Sequence, residues 1–242
     1  MPDGAAPQRN DLQIYDDRAD QWWTDEVRWV RTLKNMVPGR LAYFDRFIDW
    51  QGQDVLDLGC AGGFMAEAIA RKGARVTGID PASKAIAAAQ AHADAGDLQI
   101  RYDTGVGEAL PYEDASFDAV VCVDVLEHVE HLAQVIAEVS RVLRPGGMFL
   151  FDTINRNPLA RLAVITMAED VLGLLPKGTH DPEMFIKPAE LRSALVTAGF
   201  EVGGFTGLGP RGMTLRGDFT FGRLPGTAII YMGTARKPAA AR

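Results

Sequence analysis

The segment 55–63, which reads VLDLGCAGG, constrains the fold of this chain more than any other. Its apolar part is typical of a buried strand, and the strand ends in a glycine-rich turn. Only a turn with few side chains allows the backbone to approach a ligand closely. Asp80 ends the next apolar stretch, 76–79, and a carboxylate there is suited to accept hydrogen bonds from ribose hydroxyls. Together these segments predict a site for a nucleoside-type ligand.

Two classes of cofactor contain such a nucleoside. Dinucleotides require the turn G-x-G-x-x-G, but Ala61 stands where the second of those glycines belongs, which disfavours an NAD-dependent oxidoreductase. The turn instead resembles the D-x-G-x-G/A-x-G segment of S-adenosylmethionine (SAM) methyltransferases. This resemblance implies that Gly59 and Gly62 form one wall of the cofactor site and that Asp57 orients the turn. A plain strand–turn–helix corner is the alternative.

Strand and helix patterns alternate after residue 53. We predict strands at 54–58, 75–79, 100–103, 117–123 and 148–153, and helices at 64–72, 83–95 and 132–142. Such alternation favours an α/β fold with a Rossmann-like, doubly wound, mostly parallel sheet covered by helices on both faces. Together with the glycine turn, this pattern resembles the class I SAM methyltransferase fold, which we therefore expect.

The length of 242 residues and an apolar fraction of 47% predict one domain with a full core. We expect residues 1–14 to be disordered, residues 15–235 to form the single SAM-dependent methyltransferase domain, and residues 236–242 to be a tail. Within the domain, the N-terminal helices at 15–50 and the segment 156–190 are expected to cap the site of the methyl acceptor.

The N-terminal part of the domain is predicted to contain two helices. The first, at 16–29, carries Trp22, Trp23 and Trp29. These rings are interpreted either as core or as a lid over an apolar acceptor. Pro38 and Gly39 are predicted to separate this helix from a second one at 40–48.

Charge and cysteine content restrict the partners and the compartment. The net charge of −7 argues against nucleic-acid binding, which normally requires a basic surface. Cys60 and Cys122 lie in or beside predicted buried strands, so a disulfide framework is not indicated and a reducing cytoplasm fits. We expect no secretory leader and no membrane span, because the N-terminus is polar and no apolar run is long enough.

A second polar group follows the fourth predicted strand, at the sheet edge where folds of this class bind ligands. It consists of Asp124, Glu127 and His128. If this segment is helical, the three side chains share one face, and two carboxylates with an imidazole suit a divalent cation. The alternative is a polar face at a helix start, where the macrodipole favours acidic groups.

Several longer motifs resemble one family, the ubiquinone biosynthesis O-methyltransferases. They are ADQWW at 19–23, LEHV at 126–129, TINRN at 153–157, LPKGTHD at 175–181 and FIKPAEL at 185–191. The resemblance extends over nearly the whole chain and implies transfer of a methyl group from SAM to a phenolic hydroxyl of a polyprenylated quinone precursor. The glycine-rich segment 207–226 departs from the family pattern and leaves the choice of acceptor open.

The resemblance also implies roles for individual residues. Arg40 matches the arginine that meets the carboxylate tail of SAM, Asp80 matches the ribose acid, and Val123 matches a cofactor contact beside the fourth strand. The metal ligands of the family would be Asp124, Glu127 and His128, although the family usually has glutamate at the first position. Mg²⁺ is the first expectation for the ion, while a histidine ligand also admits Mn²⁺, Co²⁺ or Zn²⁺.

Methyl transfer to a phenol requires loss of the phenolic proton, whose pKa is about 10 in a simple phenol. A cation held by this group would favour the phenolate. Without a metal, His128 is the predicted general base, with Glu127 beside it and His180 as the second candidate base.

A polyprenylated acceptor dissolves in a membrane. The apolar segment 158–175, flanked by basic residues, is therefore interpreted either as lying on the inner face of the bilayer or as packing on the sheet as a cap. The first interpretation makes the protein cytoplasmic and peripheral. Two further functions remain open: methylation of a small soluble phenol or other secondary metabolite, and SAM binding without catalysis. The oligomeric state is not predicted.

Overall fold

One nine-stranded sheet organises residues 10–239, the part of the chain that the computed structural model describes. Its strands are β1 (Asp54–Leu58), β2 (Arg75–Asp80), β3 (Ile100–Thr104), β4 (Phe117–Cys122), β5 (Leu143–Ile154), β6 (Glu201–Val202), β7 (Thr206–Met213), β8 (Phe219–Leu224) and β9 (Ile230–Arg236). The order is β3-β2-β1-β4-β5-β9-β7-β8, and β6 also pairs with β9. Strands β1 to β5 are parallel to one another, and β9 runs antiparallel to β5.

Helices cover both faces of this sheet, as predicted. They are α1 (Gln13–Asp17), α2 (Arg28–Phe44), α3 (Phe64–Ala70), α4 (Ser83–Ala95), α5 (Leu132–Val142), α6 (Pro158–Arg161) and α7 (Pro188–Thr197). Two apolar cores lie on opposite faces: Phe149 and Phe151 of β5 face one, while Met148 and Leu150 face the other. The predicted α/β architecture, a mostly parallel sheet with helices on both faces, is thereby confirmed.

The N-terminal segment differs from the predicted pair of helices. The helix α1 begins inside the stretch 1–14 that we expected to be disordered; the expectations for 1–9 and 240–242 lie outside the described residues. A short 3₁₀ turn, Ala19–Gln21, follows α1, and α2 then runs without interruption through Pro38 and Gly39.

Tertiary packing explains why Pro38 and Gly39 do not end a helix. A Cβ atom at Gly39 would lie 2.7 Å from the carbonyl oxygen of Phe221 in β8. The glycine is therefore required for the close approach of α2 and β8 and does not mark a turn. A proline inside a helix sacrifices one backbone hydrogen bond, and here the packing of α2 on the sheet outweighs that loss.

The C-terminal third contains the other differences. The apolar segment 158–175 forms α6 and a π-helix, Leu162–Val171. The glycine-rich segment 207–226, for which we predicted no element, forms the antiparallel hairpin of β7 and β8. The stretch before this hairpin contains only the two-residue strand β6, and β9 follows the hairpin as the last strand.

No helix within residues 10–239 combines the length and the apolar character that are needed to cross a membrane.

Candidate active site

A cleft of about 670 Å³ opens at the carboxyl ends of the parallel strands. Its lining includes Tyr15, Arg40, Gly59, Asp80, Val123 and His128. This is the place where the fold class binds ligands, because the strand order reverses there between β1 and β4. Residues predicted from three separate motifs thus contribute to one cavity.

The glycine turn after β1 forms the floor of this cleft. Gly59 has φ +74° and Ala61 has φ +43°, and the amide of Gly59 donates to the carbonyl of Ile79 over 2.8 Å. Asp57 is buried below the turn, and burial raises the pKa of its carboxyl to about 7, although a backbone hydrogen bond from Ala66 opposes the shift. Asp57 also lines the cleft.

Gly62 packs against the N-terminal tryptophans. A Cβ atom there would lie 2.4 Å from the indole of Trp22, and its carbonyl accepts a hydrogen bond from Trp23 Nε1 over 2.8 Å. Trp22 and Trp29 are nearly inaccessible to solvent and meet edge to face, with centroids 5.0 Å apart. The tryptophans therefore form a packed wall on the glycine turn, and Trp22 also lines the cleft.

The turn offers a matched pair of glycines for a stability test. Gly52 and Gly59 share φ +74°, but a Cβ at Gly59 would lie 2.1 Å from Val125 Cγ2, while one at Gly52 meets nothing within 4 Å. We expect Gly52→Ala to lower the free energy of unfolding by about 1–2 kcal/mol for the left-handed backbone. Gly59→Ala should cost about 1–3 kcal/mol more for the overlap. Equal losses in urea unfolding would contradict this assignment.

Asp80 lies opposite the turn, where its carboxylate organises the backbone. Oδ2 accepts from the amide of Ala61 over 3.0 Å, and Oδ1 accepts from the amide of Ala82 over 2.8 Å. Burial raises the pKa of Asp80 to about 6, and these two hydrogen bonds limit the shift. Each carboxylate oxygen retains a further lone pair, which is what two vicinal hydroxyls require.

Arg40 is the centre of a buried ionic network. Its Nε donates to Asp152 Oδ2 over 2.6 Å, its Nη2 donates to Asp124 Oδ2, and the amide of Asp124 donates to Asp152 Oδ1 over 2.8 Å. Burial lowers the pKa of the guanidinium, but the two carboxylates outweigh it and hold the pKa above its usual value. Arg40 is therefore a fixed cation at the wall of the cleft.

Asp152 is a residue that the sequence reasoning missed. It lies in β5 after the apolar run 148–151 and is completely buried. An aspartate in a buried strand requires a cationic or hydrogen-bonding partner, and that requirement was the available signal. Its partner, Arg40, is 112 positions away in the chain.

The segment 124–128 is a turn and not the helix that we considered for it. Asp124 adopts φ +54°, which no helix contains, and its side chain is held by Arg40. Glu127 and His128 instead lie with His180, and one potential metal-ligating atom from each falls within 4.8 Å of the others. The structure thus groups Glu127 and His128 with a residue from a distant loop.

Burial shifts the ionisation of this second group. Desolvation, reinforced by the charge of Asp124, raises the pKa of Glu127 to about 8, while a hydrogen bond from Thr153 opposes the shift. Burial and the neighbouring His180 hold the pKa of His128 well below its usual range. His128 is therefore neutral at pH 7 and carries a lone pair on one ring nitrogen.

Comparison with known proteins shows the family of this chain. A family model described as "Methyltransferase domain" matches residues 56–151. The ubiquinone biosynthesis O-methyltransferase of Paracidovorax citrulli is 46% identical over 194 residues, which cover 79% of this chain and 81% of that protein. The protein of the same name from Pseudomonas putida strain F1 is 40% identical over 201 residues, which cover 83% and 86%.

Solved structures match the fold at lower identity. The magnesium protoporphyrin IX methyltransferase of Synechocystis PCC 6803 aligns with a TM-score of 0.66 at 19% identity, over 94% of this chain and 95% of that one. A possible histamine N-methyltransferase of Thermotoga maritima also reaches 0.66, at 18% identity over 93% and 98%. At such identities the likeness concerns the fold alone.

Proposed function

Because this chain belongs to the ubiquinone biosynthesis O-methyltransferases, which makes it a SAM-dependent O-methyltransferase, we propose that it methylates a phenolic hydroxyl of a polyprenylated quinone precursor. One observation carries the proposal: Gly59, Asp80 and Arg40, from three distant segments, border a single cleft at the carboxyl edge of the sheet. A backbone turn, a carboxylate and a guanidinium match the adenosine, the ribose hydroxyls and the carboxylate tail of SAM.

Each of these residues contacts a different part of SAM in this proposal. The turn at Gly59 accommodates the nucleoside because it lacks a side chain there, and Asp80 accepts hydrogen bonds from the ribose hydroxyls. Arg40 donates to the carboxylate tail, and Asp124 and Asp152 fix its guanidinium in place. Val123 contributes apolar lining beside them. A preorganised wall of this kind orients the methyl group for in-line attack, which is a large part of the acceleration of such a transfer.

The acceptor hydroxyl must lose its proton during this attack. In the absence of a metal ion we assign that task to His128, since its neutral imidazole lines the cleft and its Nε2 has no hydrogen-bond partner among residues 10–239. Glu127 and His128 would hold a divalent cation, which supplies Lewis-acid stabilisation of a phenolate when bound. The buried Glu127 oxygen without a hydrogen-bond partner among residues 10–239 supports such a site.

Methyl transfer from radiolabelled SAM tests this function. We expect label in quinone precursors that carry a long prenyl chain, and less label when the chain is shortened. Equal labelling of short soluble phenols would favour the alternative of a soluble acceptor. SAM binding without labelling of any phenol would indicate a binding protein without catalysis and would contradict the proposal.

The acceptor also implies contact with a bilayer, and we include this contact in the proposal. Leu159, Leu162 and Val171 are exposed on α6 and the π-helix. Met213 and Leu215 are exposed on the β7–β8 hairpin, and Leu215 is fully accessible. Exposed apolar side chains of this number on neighbouring elements are typical of a docking surface.

The N-terminal end of α2 joins these two elements. Arg28 donates to the carbonyl of Leu172, directly after the π-helix, over 2.9 Å. Arg31, one turn further along α2, forms an ion pair with Asp218 of the hairpin at 2.8 Å. The apolar residues of the two elements therefore belong to one surface, which Arg161 and Arg216 flank as exposed cations suited to anionic lipid. This arrangement would place a cytoplasmic protein at the membrane periphery.

A flotation assay tests the bilayer contact. We expect the full chain to float with vesicles containing anionic lipid, and Leu215→Asp to reduce the floating fraction several-fold because a carboxylate resists burial in the interface. Val196→Asp is the matched control, since Val196 is apolar and exposed near the C-terminal end of α7, a helix that contributes no residue to the surface defined above. A wild-type protein that does not float, or equal losses in both variants, would contradict the contact.

A further inference from the structure

The structure points to a ligand set that differs from the family pattern. We propose that Glu127, His128 and His180 form a three-ligand centre for a borderline transition-metal ion such as Zn²⁺, Mn²⁺ or Co²⁺, and that Asp124 is not a ligand. The role of such an ion in catalysis rests on the function proposed above, whereas its binding does not.

Asp124, the first acid of the family motif, already has partners of its own. Its carboxylate bonds to Arg40, and its backbone amide bonds to Asp152. The left-handed backbone at φ +54° turns the residue away from the helical geometry that would align it with Glu127 and His128. Recruiting Asp124 to a metal would break a buried ion pair and leave Arg40 with one carboxylate, which is costly.

Glu127 and His128 each contain a buried polar atom that has no hydrogen-bond partner within the described residues. Glu127 is 1% exposed and His128 is 7% exposed. Glu127 Oε2 accepts from Thr153 over 2.7 Å, but neither Glu127 Oε1 nor His128 Nε2 has a hydrogen-bond partner within the described residues. Buried polar atoms are rarely left without partners, and a metal ion satisfies both of these atoms at once.

The oxygen atoms that contact Nδ1 indicate the tautomer of each imidazole. Asn10 Nδ2 donates to the carbonyl of His128, which orients Asn10 Oδ1 as the acceptor at 2.6 Å from His128 Nδ1. Nδ1 therefore carries the proton, and Nε2 presents its lone pair. Nδ1 of His180 lies 2.7 Å from Glu169 Oε1 in the same arrangement. Metal-binding histidines usually have this second contact, an oxygen acceptor at the nitrogen that does not bind the ion.

Glu169 is itself held rigidly in the π-helix. Its Oε2 accepts from the amide of Gly178 over 3.0 Å, and its Oε1 accepts from the amide of His180 over 3.1 Å. These bonds fix the loop that carries His180 beside Glu127 and His128, which lie more than 45 positions earlier in the chain. The rings of His128 and His180 are 4.9 Å apart between centroids.

The types of ligand atom indicate which metal ions suit this site. Mg²⁺ prefers oxygen ligands in octahedral geometry, whereas two imidazoles with one carboxylate are typical of Zn²⁺ and of other first-row transition metals. Three protein ligands also leave coordination positions for oxygens of an acceptor. The donor set therefore revises the initial expectation of Mg²⁺.

Nitrogen NMR of the wild-type chain distinguishes the two ligand sets. The protein contains four histidines. After removal of metal with a chelator, addition of one equivalent of Zn²⁺ should shift the Nε2 resonances of two histidines into the metal-bound range. A shift of one histidine, as the set Asp124–Glu127–His128 requires, or of none, would overturn the proposal. This readout needs no variant and no activity.

Variants then assign the shifted resonances to individual histidines and show which side chains contribute to the Zn²⁺ affinity. His180→Ala should weaken Zn²⁺ binding by more than about 100-fold, because loss even of an outer partner of a ligand costs about 10- to 100-fold. Asp124→Asn and His131→Ala, the latter an exposed histidine before α5, should each stay within a few-fold of wild type. Equal loss in Asp124→Asn and His180→Ala would overturn the assignment.

Calorimetry with S-adenosylhomocysteine, the demethylated product of SAM, provides the separate check on the proposed function. Retention of its binding in His180→Ala shows that this variant is folded and that the cleft is intact. Loss of product binding in the wild-type chain would instead count against the proposed function, whatever the result with Zn²⁺.

Discussion

Asp80→Asn is expected to weaken SAM binding by roughly 10²- to 10⁴-fold, because two hydrogen bonds from hydroxyls to a charged acceptor contribute about 1.5–3 kcal/mol each. The substitution acts twice. It removes the charge. It also places a side-chain NH₂ group against the backbone N–H of Ala61 or of Ala82, each of which donates a hydrogen bond to the carboxylate in the wild type. Calorimetric titration with SAM measures the effect.

Asp103→Asn is the matched control for this change. Asp103 lies on β3 beside β2, accepts a hydrogen bond from the hydroxyl of Tyr112 over 2.9 Å and does not line the cleft. Its substitution should change the Kd for SAM by no more than about twofold. Thermal melting establishes that both variants are folded. An Asp80→Asn variant that binds SAM as well as the control would contradict the ribose assignment.

His128→Ala is expected to lower kcat by roughly 10²- to 10⁴-fold, the usual contribution of a positioned general base. The Kd for SAM should change little, because His128 lies on the acceptor side of the cleft in our assignment. Single-turnover measurements with saturating SAM separate the chemical step from binding.

The control for His128 is His131→Ala, which removes an exposed imidazole that also lines the cleft but to which we assign no role in the reaction. We expect its kcat to remain within about twofold of wild type. An unchanged kcat in His128→Ala would exclude this residue both as base and as an essential ligand. Equal losses of kcat and of SAM affinity would indicate damage to the cleft instead.

The sequence predicted the parts of the site that depend on short-range backbone chemistry. The turn at Gly59 and the acid at Asp80 each follow from a strand that ends in a recognisable local pattern. Parallel strands bring their carboxyl ends to one edge, so the two residues meet without any further information. The alternation of helices and strands predicted the central sheet for the same reason.

Contacts between distant segments could not be predicted in this way. The pairing of Arg40 with Asp124 and Asp152 joins positions that are 84 and 112 residues apart. His180 was considered as a base, but its position beside Glu127 depends on the loop that Glu169 fixes. Such groups are determined by packing of the whole chain and have no periodic pattern.

Local signals also failed where tertiary contacts outweighed them. Pro38 and Gly39 predict a break, yet α2 continues because Gly39 admits β8 at close range. For the glycine-rich segment 207–226 we predicted no element, yet most of it pairs as β7 and β8. At Gly39 and Gly209 a Cβ atom would lie 2.7 and 2.5 Å from a neighbouring element, so these glycines serve close approach, whereas Gly217 with φ +80° lies in the turn between β7 and β8.

The most direct test of the account is calorimetric titration of the wild-type chain with S-adenosylhomocysteine. If the cleft between the Gly59 bend and Asp80 holds the adenosyl group, the titration will show saturable binding of one equivalent, and the product will compete with SAM. Absence of heat with both compounds at millimolar concentration, from a chain that melts cooperatively, would contradict the account.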